Sequence, residues 1–204
     1  MKKQILLFDF DKTLTRKDSI LILWEYAVKI DKISKLYFYK NIISSMNSYL
    51  IIKDRITFKN KICSVLNYFS ESELEKFAEY VYTNYMLTDG IKYFNSLDRD
   101  YAMLVSASPI TYLKYFKKYL NFDIIIGTEL DENFLLKGEN NRFTEKVKRI
   151  NNHLTNLGYE IDYDNSCAFS DSYSSDRPML EMVKNRYLIN SNKKFNGYNN
   201  LTWK

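Results

Sequence analysis

Histidine, cysteine and glycine are scarce in this chain, and each scarcity excludes a class of site. Among 204 residues there is one histidine, His153, and there are two cysteines, Cys63 and Cys167. A single histidine, which we expect to be solvated, excludes histidine-based zinc sites and a Ser-His-Asp triad. Two distant cysteines favour free thiols in a reducing compartment over a disulfide. The five glycines form no Gly-x-x-x-x-Gly-Lys phosphate loop.

Long apolar runs are also missing. The run that begins at Ile5 is interrupted by Asp9, which makes it too short for the apolar part of a signal peptide. The run from Ile20 to Trp24 is far too short to cross a bilayer. We therefore expect a soluble, cytoplasmic protein, and a hydrophobic content of 46% is sufficient for a sizeable core.

Basic residues outnumber acidic ones, and the excess is local. The net charge is +5, and residues 16–61 alone contain ten Lys and Arg against four Asp and Glu. This excess could attract nucleic acid, an acidic membrane or a phosphorylated small molecule, although solvated helix faces are the commoner explanation. No compact Lys/Arg run and no nucleic-acid motif accompanies it, which disfavours a nucleic-acid-binding module.

The apolar run Ile5–Phe8 predicts a buried strand that leads directly into two carboxylates, Asp9 and Asp11. A spacing of two residues places both side chains on the same side of an extended chain. In open α/β sheets, ligands bind at the edge where the strands end. Two carboxylates held there repel each other, and a hard divalent cation would relieve the repulsion. Two solvated acids at a strand end would show the same spacing.

Residues 16–87 have a helical pattern throughout, whereas strands and helices alternate after residue 90. Periodicity and capping residues predict helices over about 20–30, 33–50, 54–66, 70–86, 91–97, 109–120 and 144–157, and from about 178. Apolar runs predict further strands over 101–105, 122–127, 166–169 and, as the last strand, 187–189. Asp89-Gly90 predicts a turn, and 128–141 a hairpin or irregular link. The alternation indicates an α/β fold with a parallel sheet.

Polar residues follow three of the predicted strands. Asp9 and Asp11 follow the first, Ser106 ends the second, and Asp171, with Asp176 five residues later, follows the strand over 166–169. Parallel strands share their carboxyl edge, so these side chains should meet there. Taken singly, Ser106 fits a strand-end cap and Asp176 a helix cap; the ordered set is far more specific.

Four segments in chain order resemble the motifs of the haloacid dehalogenase-like (HAD) phosphohydrolase superfamily. They are Asp9-Phe10-Asp11-Lys12-Thr13, matching D-x-D-x-T; Leu104-Val105-Ser106; Lys146; and Ser170-Asp171-Ser172-Tyr173-Ser174-Ser175-Asp176, matching GD-x4-D with Ser in place of Gly. Lys137 and Lys148 are rival candidates for the motif lysine. The resemblance covers nearly the whole chain, and Val105–Pro109 with the fourth motif is most similar to the phosphoserine phosphatase-like subgroup.

The resemblance implies a two-part organisation. A Rossmann-like core would comprise residues 1–15 and 88–204, and residues 16–87 would form an inserted helical cap of the C1 type. Asp18, Arg55 and Lys61 are the candidates for substrate contacts from the cap. They match the phosphoserine phosphatase pattern imperfectly, and so does Ser106-Ala107-Ser108. A small organic phosphate monoester is therefore a better-founded substrate than phosphoserine.

The resemblance also implies the roles of the motif residues. Asp9 would attack phosphorus and form an aspartyl phosphate, and Asp11 would protonate the leaving oxygen and later activate water. Mg²⁺ would be bound by the carboxylate of Asp9, the main-chain carbonyl of Asp11 and Asp171, with Asp176 close by. The phosphoryl group would be held by Ser106, Ala107, Lys146 and Thr13.

The sequence thus predicts a Mg²⁺-dependent phosphatase of small phosphate monoesters. A phosphotransferase that passes the phosphoryl group to an alcohol other than water would use the same residues. A basic helical module that binds nucleic acid is the alternative from another class of protein, and we expect neither nucleic acid nor a membrane span.

Overall fold

A six-stranded parallel sheet lies at the centre of a computed structural model that describes residues 1–204. In chain order the strands are β1 Lys2–Lys3, β2 Ile5–Phe8, β3 Tyr101–Pro109, β4 Ile124–Thr128, β5 Glu160–Ile161, β6 Cys167–Ser170, β7 Asn185–Ile189 and β8 Asn199–Leu201. The strand order is β4-β3-β2-β6-β7-β8, while β1 and β5 pair separately. The predicted α/β fold with a parallel sheet is confirmed.

Strand β2 is central because the chain builds the sheet outward from it in both directions. Strands β3 and β4 are added on one side, and β6, β7 and β8 on the other. All four residues of β2 are buried, as expected for a parallel strand covered on both faces. In register, Phe8 faces Leu104 of β3 and Phe169 of β6. The reversal of strand order beside β2 creates the crevice in which such sheets bind ligands.

Helices cover both faces of the sheet. They are α1 Ser19–Lys29, α2 Lys35–Leu50, α3 Arg55–Cys63, α4 Glu71–Tyr85, α5 Thr88–Ser96, α6 Ile110–Leu113, α7 Thr144–Asn156 and α8 Tyr173–Leu180, with 3₁₀ helices at Ser64–Tyr68 and Lys114–Lys118. Ile150 of α7 and Met179 of α8 pack with Ile5 and Leu7 on one face. The larger apolar cluster lies on the other face. None of the helices has the length and apolarity needed to cross a membrane.

Helices α1–α4 occupy the chain between β2 and β3, within the predicted cap. Trp24 of α1 is fully buried and donates a hydrogen bond from Nε1 to the carbonyl of Ile62, 2.9 Å away. The ring of Phe77 on α4 meets that of Tyr112 on α6 edge to face, at 5.5 Å. These side chains belong to the same apolar cluster as Phe8, so the helical segment shares its core with the sheet. The division into 1–15 with 88–204 and 16–87 stays a prediction.

The turn predicted at Asp89-Gly90 is wrong, because both residues lie in α5. A Cβ atom at Gly90 would lie 2.5 Å from Cε3 of Trp203. The indole of Trp203 therefore occupies the space that a side chain would need. It also stacks near the ring of Phe8, with 6.5 Å between centroids. The glycine is present for a close packing contact and not for a change of direction.

Other differences concern the ends of elements. The helix predicted from Pro178 begins at Tyr173, with Ser172 as its N-cap, and includes the proline. Strand β8 follows β7, so residues 187–189 are not the last strand. The predicted helix over 109–120 is divided into α6 and a 3₁₀ helix. His153 is half-buried rather than fully solvated, and its Nε2 is 2.8 Å from the hydroxyl of Tyr101.

The capping box of α4 is confirmed and gives a stability prediction. The Ser70 side chain accepts a hydrogen bond from the main-chain N–H of Glu73, whose carboxylate accepts from the N–H of Ser70. We expect Ser70→Ala to lower the free energy of unfolding by about 1 kcal/mol. Urea denaturation measures the change. Ser72→Ala, at an exposed position on the same helix, is the matched control and should have almost no effect. Equal losses in both variants would contradict the capping role.

Candidate active site

The polar residues at the ends of β2, β3 and β6 lie side by side, because β2 pairs in parallel with both of the other strands. Asp9 follows β2, Ser106 lies in β3, and Asp171 follows β6, and the main-chain N–H of Asp9 donates to the carbonyl of Phe169 at 2.9 Å. All three line one cavity of about 480 Å³ at the carboxyl edge of the sheet. The helical segment provides the opposite wall of this cavity, including Phe58. The expected meeting of these side chains is therefore observed.

The ammonium group of Lys146 lies between two buried carboxylates. Its Nζ is 2.8 Å from Oδ1 of Asp9 and 2.9 Å from Oδ1 of Asp176. Lys146 is only 1% exposed and Asp9 only 6%. Burial alone would lower the pKa of Lys146, but the two carboxylates raise it above the usual value, so the ammonium stays charged. The second oxygen of Asp176 accepts a hydrogen bond from the hydroxyl of Ser170 at 2.7 Å.

Lys146 lies in the first turn of α7, and the residue before this helix has an unusual backbone conformation. Phe143, which precedes the helix, has φ 55° and ψ −129°, a left-handed conformation that favours glycine. Such a conformation costs about 1–3 kcal/mol in a residue with a side chain. The guanidinium of Arg142 lies 4.9 Å from the Phe143 ring and that of Arg55 lies 5.8 Å from it.

More negative charge is gathered here than the lysine can neutralise. Burial raises the pKa of Asp9 to about 8, although Lys146 acts in the opposite direction. Burial, and then the charge of Asp176, raises the pKa of Asp171 to about 6. The carboxylate of Asp171 accepts no hydrogen bond from the protein, whereas its main-chain N–H donates to Oγ1 of Thr13 at 2.9 Å. The Thr13 hydroxyl itself donates to Oδ2 of Asp9 at 3.2 Å.

The residues fit a divalent cation that keeps much of its water. No three carboxylate, imidazole or thiol groups are arranged as a metal cage. Asp9 and Asp171 are nevertheless adjacent, with raised pKa values that a cation would lower. Mg²⁺ is typically held by one or two carboxylates together with water and substrate phosphate. Of the four predicted metal residues, Asp9, Asp11 and Asp176 have protein partners at both carboxylate oxygens. Asp11 was predicted to bind the metal through its main-chain carbonyl, so the contacts of its carboxylate do not bear on that role.

The carboxylate of Asp11 is bound by the start of the helical segment. Its Oδ1 accepts from the main-chain N–H of Ser19 at 2.6 Å, and its Oδ2 accepts from the hydroxyl of Ser108 at 2.5 Å. The Ser19 hydroxyl is in turn 2.8 Å from the hydroxyl of Tyr112. Burial raises the pKa of Asp11, while the hydrogen bonds from Ser108 and Ser19 oppose the shift. The Asp11 side chain thus accepts a free main-chain N–H at the start of α1, whereas Asp18, the residue at the N-cap position, makes no such hydrogen bond.

Ser106 and Ala107 lie in the irregular end of β3, where its pairing register with β4 shifts, beside these carboxylates. The Ser106 hydroxyl accepts from the main-chain N–H of Ser108 at 3.0 Å. The carbonyl of Ala107 accepts hydrogen bonds from the hydroxyl of Thr128 and from Nζ of Lys59, both at 2.7 Å. These contacts fix the backbone close to the cavity.

Lys59 connects the helical segment to this end of β3. It lies on α3, is only 8% exposed, and burial lowers its pKa. The next residue, Asn60, accepts a hydrogen bond at Oδ1 from the main-chain N–H of Leu136, at 2.8 Å. Leu136 belongs to the small hairpin-like link after β4, where it bridges to Leu130. Two consecutive residues of α3 therefore bind the core.

The structure separates the predicted cap residues. Asp18 lines the cavity, and its carboxylate lies 2.5 Å from Nζ of Lys12. Arg55 lines a neighbouring cavity. Lys61 does not reach the cavity: its Nζ donates to the hydroxyls of Ser44 and Ser48 at 3.1 and 2.9 Å. Among the motif lysines, Lys146 alone is buried between the carboxylates, since Lys137 and Lys148 are exposed.

Polar residues that line the cavity without having been predicted as site residues include Lys59, Ser108 and Arg142. Ser108 could have been found, because its spacing of two from Ser106 repeats the logic applied to Asp9 and Asp11. Lys59 had no such signal, because Arg55, Lys59 and Lys61 are equally basic. Arg142 lies in a link whose path the pattern left open.

The fold and the site together define an α/β protein with a carboxylate-rich centre at the carboxyl edge of its parallel sheet. The family model of haloacid dehalogenase-like hydrolases matches residues 6–181, and the chain belongs to this family. The predicted family membership and enzyme class are confirmed. No curated protein sequence matches the chain.

Solved structures with the same fold include three that span nearly the whole chain. A protein of unknown function from Bordetella pertussis Tohama I has a TM-score of 0.76 at 18% identity, covering 93% of this chain and 91% of that one. A substrate-bound phosphoserine phosphatase has a TM-score of 0.57 at 16% identity, covering 93% and 87%. A phosphoserine phosphohydrolase-like protein from Francisella tularensis has a TM-score of 0.56 at 18% identity, covering 91% of this chain and 87% of that one. At these identities the likeness shows the fold.

The buried cluster predicts a pH-dependent cost of removing the lysine. We expect Lys146→Met to lower the free energy of unfolding by about 3 kcal/mol at pH 8, because it leaves buried carboxylates unpaired. Burial raises the pKa of Asp9 from 3.8 to about 8. The folded protein therefore binds the Asp9 proton more tightly than the unfolded chain, and its stability falls as the pH rises between these two values. Lys146 acts against this loss of stability because it lowers the pKa of Asp9. The loss should therefore be smaller at pH 5 than at pH 8.

Urea denaturation at both pH values measures this difference. Lys148→Met is the matched control, because Lys148 lies on the same helix with an exposed side chain paired to Glu145. We expect a change of less than about 0.5 kcal/mol for it. A loss in Lys146→Met that is independent of pH would contradict the proposed charge balance.

Proposed function

We propose that this protein is a Mg²⁺-dependent phosphatase that hydrolyses a small-molecule phosphate monoester through an aspartyl phosphate on Asp9. The observation that carries the proposal is the Asp9 carboxylate at the end of the central strand, ion-paired with Lys146 inside a cavity that also contains Asp11 and Ser106. Phosphoryl transfer depends on a positioned nucleophile and on neutralised charge. Family membership supports a hydrolase, and the substrate-bound relative supports a phosphate ester.

In this proposal Asp9 is the nucleophile. The hydrogen bond from Thr13 and the ion pair with Lys146 fix the direction of its carboxylate. The Lys146 ammonium and the Ser106 hydroxyl are near enough to stabilise charge on the phosphoryl oxygens, and the main chain at Ala107 adds an N–H. Asp176 is a positioning residue, since both of its oxygens hold other side chains.

Asp11 is the proposed general acid and base. Its raised pKa favours a protonated form that can give a proton to the leaving oxygen, and the ionised form can then take a proton from water. The hydrogen bonds from Ser19 and Ser108 restrict its orientation. An alcohol in the place of water would give phosphotransfer, which product analysis with added acceptor alcohols distinguishes.

Asp9, Asp171 and the main-chain carbonyl of Asp11 would hold the Mg²⁺ ion. When bound, Mg²⁺ would neutralise charge on the phosphoryl oxygens and lower the pKa of both carboxylates. The helical segment, residues 16–87, would act as a cap that excludes water from the cavity. Its contacts through Lys59 and Asn60 hold the segment against the core, and movement of such a segment would control access to the cavity.

Hydrolysis of p-nitrophenyl phosphate tests the reaction class. We expect Mg²⁺-dependent release of p-nitrophenol that EDTA abolishes and that Asp9→Asn reduces by about a thousandfold or more. Asp164→Asn is the matched control. Asp164 is exposed, pairs with Lys184 and precedes β6, so it lies at the amino edge of the sheet and away from the cavity. Turnover at the normal rate by folded Asp9→Asn would exclude Asp9 as the nucleophile.

The leaving group dependence tests Asp11. We expect Asp11→Asn to slow the hydrolysis of alkyl phosphates by about 10²–10⁴-fold, since a poor leaving group needs a proton. p-Nitrophenyl phosphate, whose leaving group needs little protonation, should be affected much less. Initial rates for both esters, with folding checked by circular dichroism, provide the comparison. An equal loss for good and poor leaving groups would argue against general-acid catalysis by Asp11.

A further inference from the structure

The cavity has two chemically different halves. Its inner half contains the carboxylates, Ser106 and Lys146 described above. Its outer half is formed by helices α1, α2 and α3 and is mainly apolar. The apolar and aromatic side chains of this wall include Ile20, Leu21, Ile42, Met46, Tyr49 and Phe58. A substrate held by its phosphate in the inner half would extend its remaining part along this wall.

The outer half offers little that would recognise a charged or strongly polar group. The carboxylate of Asp18 is paired with Lys12. The hydroxyl of Ser45 donates to the carbonyl of Asn41 in its own helix, 2.8 Å away. Lys61 is bound to serines elsewhere. Four basic side chains line the cavity as a whole, namely Lys12, Lys59, Arg142 and Lys146. Lys12 is paired with Asp18, Lys59 with the carbonyl of Ala107 and Lys146 with Asp9. Their positive charge complements the phosphate of a substrate.

The apolar wall also continues out of the cavity. Met46 lines the cavity and is still 49% exposed. It belongs to a stripe of exposed apolar residues on α2, spaced alternately by three and four, so that they lie on one face of the helix. The stripe consists of Leu36, Tyr39, Ile43, Met46 and Leu50. An apolar group too long for the cavity could remain in contact with this face.

We propose that the substrate is a phosphate monoester of an amphipathic alcohol, whose apolar group lies against the wall formed by α1, α2 and α3. This inference rests on the proposed phosphatase function and adds the chemical class of its substrate. Transfer of apolar surface from water to the wall would supply the binding free energy that polar contacts cannot supply there. When that group is long, it extends onto the part of the stripe nearest the cavity, around Met46.

A series of unbranched alkyl phosphates from ethyl to octyl tests this assignment. Binding is measured by calorimetry on the Asp9→Asn variant with Mg²⁺, below the critical micelle concentration of each ester. We expect the Kd to fall about fourfold for each methylene buried, which corresponds to about 0.8 kcal/mol. Turnover by the unmodified protein should show a parallel fall in KM. A Kd that does not change with chain length overturns the proposal.

Two matched variants locate the apolar contact. Met46→Gln keeps an unbranched side chain of similar size and should flatten the dependence of Kd on chain length. Leu36→Gln makes an equivalent change on the same stripe, but it lies about 15 Å further along the helix and should leave the dependence intact. Equal slopes in both variants would overturn the assignment of the wall.

The outcomes separate this inference from the function on which it rests. Hydrolysis of every ester with a Kd independent of chain length would leave the phosphatase standing and reject the amphipathic substrate. Binding that strengthens with chain length, without hydrolysis of any ester, would reject the phosphatase and retain the apolar site. If the Kd is flat and both variants change the sedimentation coefficient, the stripe belongs to an interface between two copies of the chain.

Discussion

The ammonium group of Lys146 is the interaction on which the arrangement of the site depends. It joins the end of β2, through Asp9, to α8, through Asp176, while being carried by α7. Burying these charges is expensive, and the cost is tolerable only because each has a partner at hydrogen-bond distance. The remaining negative charge on Asp9 and Asp171 is what makes this edge of the sheet receptive to a cation and to a phosphate bound through it.

The helical segment takes part in the site through its backbone as well as its side chains. The first N–H of α1 holds Asp11, and Lys59 of α3 holds the carbonyl of Ala107. The group proposed to move protons is therefore oriented by the same segment that supplies the apolar wall. Any movement of α1 away from the sheet would break its hydrogen bond to Asp11. Opening of the cavity and loss of the orientation of Asp11 would therefore occur together.

Local features of the sequence were sufficient to predict much of the fold and the site. Contacts that depend on long-range packing could not be predicted from it. The spacing of Asp9 and Asp11 after an apolar run could be interpreted without the fold, because strand geometry fixes it. The choice between Lys59 and Lys61 could not, because two residues along a helix differ by about 200° in direction, and only the packing of α3 shows which one faces the site. The contact between Gly90 and Trp203 joins distant parts of the chain and left no local signal.

The central position of β2 has a consequence for how the molecule assembles. Its two neighbours are β3 and β6, whose pairing residues lie around 101–104 and 167–169. During synthesis, β2 must wait for most of the chain before both of its edges are covered, and such distant pairings form slowly. An apolar strand with an open edge can pair with other chains in the meantime. The strand that leads into Asp9 is thus the centre of the sheet and also a segment that can misassemble before its partners are made.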